Sequence, residues 1–179
     1  MAPTGTGKTL AYLLPILMQL DKDRREAQAV VLAPTYELAM QITTEARDLS
    51  QKADLGIRVQ GLIGGANIAR QIDKLKEKPQ LVVGSAGRIL ELARKGKLKL
   101  TGVRFLVLDE FDRLLDDQND MMTADVVKLL PQDRQALMFS ATDPKKERER
   151  ALFLGHPERI VFVQSALDIA ACHHYFVSV

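Results

Sequence analysis

Cysteine and tryptophan are scarce in this 179-residue chain, which has one cysteine and no tryptophan. The lone thiol, Cys172, excludes an intramolecular disulfide framework and indicates a reducing compartment. Long apolar runs are also missing, because the apolar stretch at residues 10–20 is short for a bilayer span and is interrupted by Pro15. No charged leader accompanies that stretch, so we do not predict a signal peptide. A cytoplasmic protein without membrane contact is therefore expected.

An excess of charge of one sign is missing as well. The 25 lysines and arginines nearly balance the 23 aspartates and glutamates, which leaves a net charge of +2. Such a balance provides no overall basic field, so any contact with nucleic acid must be local. The hydrophobic fraction of 46% and the length are typical of one soluble globular domain with a sizeable core.

Short aliphatic runs alternate with amphipathic stretches along the chain. The aliphatic runs predict strands at residues 29–33, 57–63, 81–84, 105–108, 136–139 and 160–163. Helical spacing predicts helices at residues 10–20, 37–52, 68–76, 89–95, 124–130 and 145–154. This alternation predicts an α/β fold, with a mostly parallel sheet and helices on both of its faces. In such sheets ligands bind at the carboxyl ends of the strands, where the polar motifs of this chain also lie.

Residues 2–9, APTGTGKT, form a phosphate-binding loop pattern in front of a helical apolar segment. The glycines let successive backbone N–H groups turn toward a phosphate, and Lys8 adds a cation for the outer phosphates. The Thr9 hydroxyl suits a magnesium ion, and the positive end of the following helix faces the same anion. Only Met1 precedes the loop, so we expect the strand that normally anchors it to be lacking. The predicted nucleotide ligands are Thr4, Gly5, Thr6, Gly7, Lys8 and Thr9.

Two carboxylates, Asp109 and Glu110, follow the apolar run FLVL at residues 105–108. A buried strand presents both acids at its exposed tip, where Asp109 can hold Mg²⁺, largely through water. Glu110 can orient or deprotonate the water that attacks the γ-phosphate of ATP. An acidic pair after a strand is a weak signal alone, since many strands end in a turn that caps a helix. Together with the phosphate loop it predicts an enzyme that uses ATP and Mg²⁺, with Lys8, Asp109 and Glu110 as catalytic residues.

The motifs of the chain, taken in order, resemble those of the DEAD-box ATP-dependent RNA helicases. DEFD at 109–112 is similar to the family's Asp-Glu-Ala-Asp signature, and APTGTGKT is similar to its first motif. PTYELAMQ at 34–41, SAGR at 85–88 and SATDP at 140–144 resemble its PTRELAxQ, TPGR and Ser-Ala-Thr motifs. Gly64-Gly65 with Gln71 resembles its paired-glycine element. The resemblance implies the amino-terminal RecA-like domain of a helicase that hydrolyses ATP and locally separates RNA strands.

The same resemblance implies a surface that grips single-stranded RNA through its backbone, without reading the bases. Hydroxyls, a guanidinium and free N–H groups at helix N-termini would provide the contacts. Ser85 is equally explained as a helix cap, and Glu37 as a support of its loop. Asp112, Ser140 and Thr142 are expected to couple the ATP site to the RNA site. The RNA-binding residues that the resemblance implies are Pro34, Thr35, Gly64, Gly65, Gln71, Ser85, Gly87 and Arg88.

The resemblance also divides the chain. Residues 1–165 correspond to the first RecA-like domain, incomplete at its N-terminus, and residues 166–179 to a linker and the first strand of a second RecA-like domain. The family's adenine-reading glutamine motif and its arginine fingers fall outside both segments, so the chain alone is expected to be nearly inactive. In the family's sheet the anchoring strand lies centrally, beside the strand that leads to Ser140. Without it, both flanking strands, including the one that leads to Ser140, are expected to have unpaired backbone groups, and the chain to fold poorly.

Three positions depart from the family pattern. Tyr36 replaces an arginine and removes a cation from the RNA side, whereas Ala86 replaces a proline and costs only turn rigidity. Phe111 replaces a small alanine beside the acids, so we expect it to put the geometry of Glu110 in question. These changes leave an alternative function open, a non-catalytic RNA- or protein-binding module that keeps the helicase fold without turnover.

Overall fold

The computed structural model describes residues 6–65, 67–115, 120–139 and 162–163, of which residues 6, 120, 162 and 163 are described by their backbone alone. Within these ranges strands and helices alternate. The helices are α1 (Thr6–Gln19), α2 (Tyr36–Lys52), α3 (Ile68–Lys74), α4 (Ala86–Arg94), α5 (Phe111–Leu114) and α6 (Asp120–Lys128), with a 3-10 turn at Leu75–Glu77. The strands are β1 (Ala29–Leu32), β2 (Val59–Leu62), β3 (Leu81–Gly84), β4 (Phe105–Asp109), β5 (Gln135–Phe139) and β6 (Phe162–Val163).

The strands form one parallel sheet in the order β2-β3-β1-β4-β5-β6. β1 lies inside the sheet and pairs on both sides, with Val31 opposite Val83 of β3 and Val107 of β4. Because parallel strands all run the same way, the loops that follow them meet at one edge of the sheet. The predicted α/β fold with a mostly parallel sheet is confirmed.

Successive residues of β1 face opposite sides of the sheet and enter two separate cores. Val30 and Leu32 belong to the core under α4, α5 and α6, which includes Ile89 and Phe111. Ala29, Val31 and Ala33 belong instead to the core under α1 and α2. Since both faces are covered, β1 is apolar throughout, as is typical of a strand inside a parallel sheet.

Two buried glutamines fix the amino-terminal edge of the sheet. Gln80 donates from Nε2 to the Lys22 carbonyl at 2.8 Å, and its Oε1 accepts from the Arg58 N–H at 2.9 Å. Gln28 donates from Nε2 to the Asp21 carbonyl at 2.7 Å. Buried amides require such partners. These bonds hold the loop after α1 against the edge that lies opposite the polar motifs.

The outer side of β5 differs from the sequence-based expectation. β6 pairs with it in parallel, through Met138 opposite Phe162 and Phe139 opposite Val163. The expectation that the strand leading to Ser140 has no neighbour there is therefore wrong at these two positions, because backbone groups from later in the chain pair with them.

The remaining predictions on secondary structure and membrane contact have different outcomes. The single-turn helix α5 was not predicted, because four residues are too few to show a helical period. The predicted helix at 145–154 and the segment 166–179 lie outside the described residues. In the described part of the chain, no helix is both long and apolar enough to cross a membrane.

Candidate functional site

The phosphate-loop residues that the structure describes lie in the first turn of α1. Gly7, Lys8 and Thr9 follow the first helical residue, Thr6, so their N–H groups belong to the end of the helix that lacks internal acceptors. A Cβ added at Gly7 would meet nothing within 4 Å, so the space beside this glycine is open. This geometry suits an anion at the positive end of α1. Thr4, Gly5 and the Thr6 side chain lie outside the described part of the chain.

Asp109 is the last residue of β4, and two donors hold its carboxylate. The Tyr12 hydroxyl donates to Oδ2 at 3.0 Å, and the Glu110 N–H donates to Oδ1 at 3.0 Å. Only 6% of Asp109 is exposed. Burial raises the pKa of this carboxyl, whereas the two hydrogen bonds and the nearby Lys8 charge act in the opposite direction. The structure thus places the Lys8 charge near Asp109, and the catalytic roles of both residues stay predictions.

Tyr12 is part of this site and was missed by the sequence analysis. Its ring is 1% exposed and contacts the ring of Phe139, with centroids 4.9 Å apart. Its hydroxyl donates to Asp109, and burial followed by the Asp109 charge raises its pKa well above the usual value. One signal was available, because residues three apart in a helix share a face, which places Tyr12 beside Thr9.

Glu110 adopts the left-handed backbone conformation, with φ of 50° and ψ of 51°. Glutamate rarely adopts this conformation, and such residues are concentrated at functional sites. The conformation turns Glu110 away from the direction of β4, and its partly exposed carboxylate accepts from Arg113 at 3.1 Å. The catalytic role of Glu110 stays a prediction that this geometry allows.

Phe111 does not occupy the site. Its side chain is 0% exposed and packs in the core with Leu114, Val126 and their neighbours. The expectation that Phe111 disturbs Glu110 therefore loses its physical basis, because the ring has room on the other side of the chain. Asp112 follows it and is partly buried. Its predicted partners, Ser140 and Thr142, lie outside the described residues, so the coupling role stays a prediction.

The residues present fit a magnesium ion held mainly through water and phosphate. Thr9 provides a hydroxyl and Asp109 a carboxylate, and the Tyr12 hydroxyl, one turn after Thr9 in α1, donates to that carboxylate. Among the described residues, no group of three or more His, Cys, Asp or Glu side chains forms an all-protein metal cage. Mg²⁺ commonly binds to one or two protein oxygens while nucleotide phosphates and waters complete its shell.

A second set of loops lies at the same edge of the sheet as the predicted nucleotide site. The Ala33 N–H donates to the Gly84 carbonyl at 3.0 Å, and the Ser85 N–H donates to the Leu62 carbonyl at 3.2 Å. These bonds continue the sheet past the strand ends and align the loops that follow β1, β2 and β3. Thr35, beside the partly buried Pro34, caps α2 by accepting from the Leu38 N–H at 3.3 Å. The three predicted RNA-contacting loops therefore lie next to one another.

Ser85 and Arg88 occupy the first turns of α4. Ser85 stands at the N-cap position, yet among the described residues its side chain makes no capping hydrogen bond. The alternative explanation of Ser85 as a helix cap thus has no support in this geometry. Arg88 is mostly buried and pairs with Glu91 at 3.2 Å, and Glu91 also pairs with Lys95. Gly87 lies beside the Met122 sulfur, 3.2 Å from the place that a Cβ would take.

The paired glycines form an open turn, and Gln71 supports it from behind. Gly65 has a φ of 77°, and a Cβ added at either glycine would meet nothing within 4 Å. Gln71 is only 7% exposed and donates from Nε2 to the Ile63 carbonyl at 2.9 Å. The structure therefore places Gly64 and Gly65 on the surface and Gln71 beneath it, where its amide holds the turn instead of meeting a ligand.

Residues 1–151 match the sequence profile described as DEAD/DEAH box helicase. The chain is 44% identical over 178 residues to the DEAD-box ATP-dependent RNA helicase CshC of Bacillus cereus, which covers 98% of this chain and 45% of that protein. It is 41% identical over 178 residues to the probable ATP-dependent RNA helicase YfmL of Bacillus subtilis, covering 98% and 46% of the two chains. The chain spans about half the length of these relatives.

Two solved structures share the fold. A DEAD box protein from the hyperthermophile Methanococcus jannaschii superposes with a TM-score of 0.78 at 28% identity, over 94% of this chain and 45% of that one. Mss116p, in a structure bound to ssRNA and AMP-PNP, superposes with a TM-score of 0.81 at 28% identity, over 91% of this chain and 35% of that one.

Proposed function

Because the chain belongs to the DEAD/DEAH box helicase family, we propose that it is the ATP-binding core domain of an ATP-dependent RNA helicase. The observation that carries the proposal is the hydrogen bond from the Tyr12 hydroxyl of α1 to Asp109, with Thr9 one turn earlier in the same helix and the Lys8 charge nearby. This arrangement brings the phosphate-loop helix and the acidic tip of β4 together in one site. A cytoplasmic location agrees with the single cysteine of the chain.

The nucleotide would bind at the positive end of α1. Backbone N–H groups of the first turn, together with Lys8, would hold the β- and γ-phosphates of ATP. Thr9 and Asp109 would hold Mg²⁺, which when bound neutralises charge on those phosphates. Thr4 and Gly5 are proposed to complete the phosphate loop. Asp109 needs to be ionised for this role. Burial, which raises its pKa, opposes ionisation, whereas its two hydrogen bonds favour it.

Hydrolysis would use Glu110 as the residue that orients the attacking water. The water oxygen bonds to the γ-phosphorus, the bond to the bridging oxygen of ADP breaks, and the water proton passes to the Glu110 carboxylate. Arg113 pairs with that carboxylate at 3.1 Å and holds it at the exposed end of β4. A second RecA-like domain is the partner that would complete the site.

RNA would lie across the loops that follow β1, β2 and β3. The Thr35 and Ser85 side chains, the open backbone at Gly64 and Gly65, and Arg88 would contact phosphates and sugars. Such contacts are independent of base sequence and suit a single strand. Asp112, with Ser140 and Thr142, is proposed to connect this surface to the nucleotide site.

The test is the Lys8→Ala variant, made in the gene product that contains this chain. Loss of the cation should abolish ATP turnover and weaken binding of a fluorescent ATP analogue, because the outer phosphates lose a fixed charge. Lys99→Ala is the matched control, since this exposed lysine precedes β4 at the opposite edge of the sheet. Unchanged turnover in Lys8→Ala would contradict the proposed site.

The second candidate function is a non-catalytic RNA- or protein-binding module. Tyr36, which is 54% exposed where the family has arginine, favours it. The buried position of Phe111 removes the other argument for it, because Phe111 does not crowd Glu110. Nucleotide binding without any turnover, in the gene product with RNA added, would support this second function.

A further inference from the structure

A tyrosine hydroxyl connects the phosphate-loop helix to the proposed metal-binding carboxylate. Tyr12 donates to Asp109 Oδ2 at 3.0 Å, across 97 positions of sequence, and both side chains are almost wholly buried. Thr9 lies one turn before Tyr12 in α1, on the same face of that helix. Tyr12 therefore links the helix that carries Thr9 to the carboxylate of Asp109.

We propose that Tyr12 is a positioning residue, which orients the Asp109 carboxylate toward Mg²⁺ through the hydrogen bond from its hydroxyl. This inference rests on the proposed function. Asp109 accepts one bond at each oxygen, from Tyr12 and from the Glu110 N–H. A carboxylate has about four lone-pair sites, so lone pairs remain on both oxygens for metal-bound water. The two donors fix the plane of the carboxylate, and the remaining lone pairs lie in that plane.

The ring of Tyr12 is itself held in place, which makes its hydroxyl a fixed donor. It lies 4.9 Å from the Phe139 ring, centroid to centroid, at an interplanar angle of 43°. Phe139 is the last residue of β5 and directly precedes Ser140. A phenylalanine at position 12 would keep this apolar contact, so packing alone does not require the hydroxyl. The hydroxyl is therefore the group to remove.

The decisive variant is Tyr12→Phe. The substitution is made both in this chain and in the gene product that contains it, and each variant is compared with its unsubstituted parent. A fluorescent ADP derivative is titrated at a series of Mg²⁺ concentrations and again with the metal chelated. We expect the Mg²⁺ concentration for half-maximal binding to rise about tenfold, the low end of the loss seen when a residue supporting a metal ligand is removed. Affinity in the chelated sample should stay within about twofold, since the phosphate loop is intact.

Ser50→Ala is the matched control, because it removes a buried hydroxyl that bonds to Ile57 far from the site. It should leave the Mg²⁺ dependence unchanged. The same Mg²⁺ dependence in Tyr12→Phe as in the unsubstituted chain would overturn the inference. An equal loss of affinity with and without metal would overturn it too, because it would mark Tyr12 as a packing residue. No Mg²⁺-dependent binding in the unsubstituted protein is a different result, which contradicts the proposed function and removes the role of Tyr12 with it.

A double-mutant cycle tests whether Tyr12 acts through the Asp109 carboxylate. In Asp109→Asn the carboxylate is absent, so Tyr12→Phe added to that variant should not alter the remaining Mg²⁺ dependence. A further rise of several-fold in the double variant would show that Tyr12 acts through another group and would overturn the inference.

Discussion

The side-chain amide of Gln71 donates to the carbonyl of Ile63 at 2.9 Å and so ties α3 to the residue in front of the Gly64-Gly65 turn. The backbone carbonyl of Gln71 in turn accepts from Gln60 Nε2 at 2.8 Å. Both bonds are buried, where an unmet polar group is costly. Gln71 thus shapes the turn that is proposed to face RNA, although its side chain is not on the surface.

Replacing Gln71 should therefore destabilise the fold and weaken RNA binding indirectly. Gln71→Ala leaves the Ile63 carbonyl unmet, which should lower the free energy of unfolding by about 1–3 kcal/mol. RNA affinity should fall while the slope of log affinity against log salt stays the same, because no phosphate contact is removed. Urea unfolding and RNA titrations at several salt concentrations measure the two effects.

The control for this prediction is Gln41→Ala, an exposed glutamine on α2. Its effect on unfolding should lie within about 0.5 kcal/mol. A Gln71→Ala variant as stable as the parent, but with a shallower salt slope, would show that Gln71 touches RNA directly.

Gly84 is the residue at which the sheet itself requires a glycine. It lies opposite Leu62 in the register of β2 and β3, and a Cβ added to it would collide with the Leu62 carbonyl oxygen. Both groups belong to the backbone of a buried sheet, so neither can move aside cheaply. Gly84→Ala should lower the free energy of unfolding by about 3 kcal/mol, the upper part of the usual range for overpacking.

Gly64→Ala is the matched control for stability, because a Cβ there meets nothing within 4 Å. Its urea midpoint should be close to that of the parent chain. Equal midpoints for Gly84→Ala and Gly64→Ala would mean that β2 and β3 do not approach each other as the structure has them.

The sequence was sufficient for the fold because both faces of the sheet are covered. Strands such as β1 are then apolar at every position, so Val30 and Val31 stand out without any knowledge of tertiary contacts. The phosphate loop and the acidic pair were found for a related reason, since their chemistry depends on residues close in sequence. Tyr12 escaped notice because an apolar helical segment does not reveal which ring carries a bonded hydroxyl.

The sequence also did not predict the direction in which individual side chains point. Gln71 was expected to contact RNA and Phe111 to crowd Glu110, yet both side chains are buried. A match to a motif indicates which residue type a position requires. It does not distinguish a side chain that contacts a ligand from a buried side chain that supports a turn. Only the contacts to Ile63 and to the core separate these two explanations.

Glu110→Gln should separate ATP binding from hydrolysis. The amide keeps the shape of the side chain at the left-handed turn but loses the charge and the ability to accept a proton. Turnover should fall by about 10²–10⁴-fold, the usual contribution of a general base, while affinity for a fluorescent ATP analogue is retained. Both are measured in the gene product that contains this chain, and equal turnover in the variant would exclude Glu110 as the base.

Glu45 on α2 provides a pH-dependent test of the fold. Burial raises the pKa of this carboxyl above its ordinary value of 4.5, so the folded state holds the proton more tightly than the unfolded state does. The free energy of unfolding therefore falls as the pH rises from 4.5 through the raised pKa. At neutral pH the destabilisation by the ionised Glu45 is complete. Glu45→Gln should be slightly more stable than the parent at pH 7, with the difference vanishing near pH 4.

Thermal unfolding across this pH range measures the effect of Glu45→Gln. Asp48→Asn removes an exposed charge from the same helix and serves as the control. A gain in stability that is the same at every pH would contradict burial of the Glu45 carboxyl as the cause, because an effect of its ionisation must depend on pH.

Tyr36 provides the last prediction, because it stands at the first position of α2, directly after the Thr35 cap. More than half of its surface is exposed, on the edge where the loops after β1, β2 and β3 meet. An arginine there would place a guanidinium within reach of any phosphate that Thr35 contacts.

Tyr36→Arg should bind single-stranded RNA more tightly at low salt. One added phosphate contact steepens the slope of log affinity against log salt by about 0.7 for a single strand, so the gain should shrink as salt rises. A cation near the positive end of α2 costs roughly 0.3–1 kcal/mol of stability at low salt, which should appear as a slightly lower urea midpoint. Tyr36→Gln is the control, since it removes the ring without adding charge and should leave the salt slope unchanged. If Tyr36→Arg and Tyr36→Gln shared one slope, no phosphate would lie near position 36, and the proposed path of RNA across the Thr35 loop would be wrong.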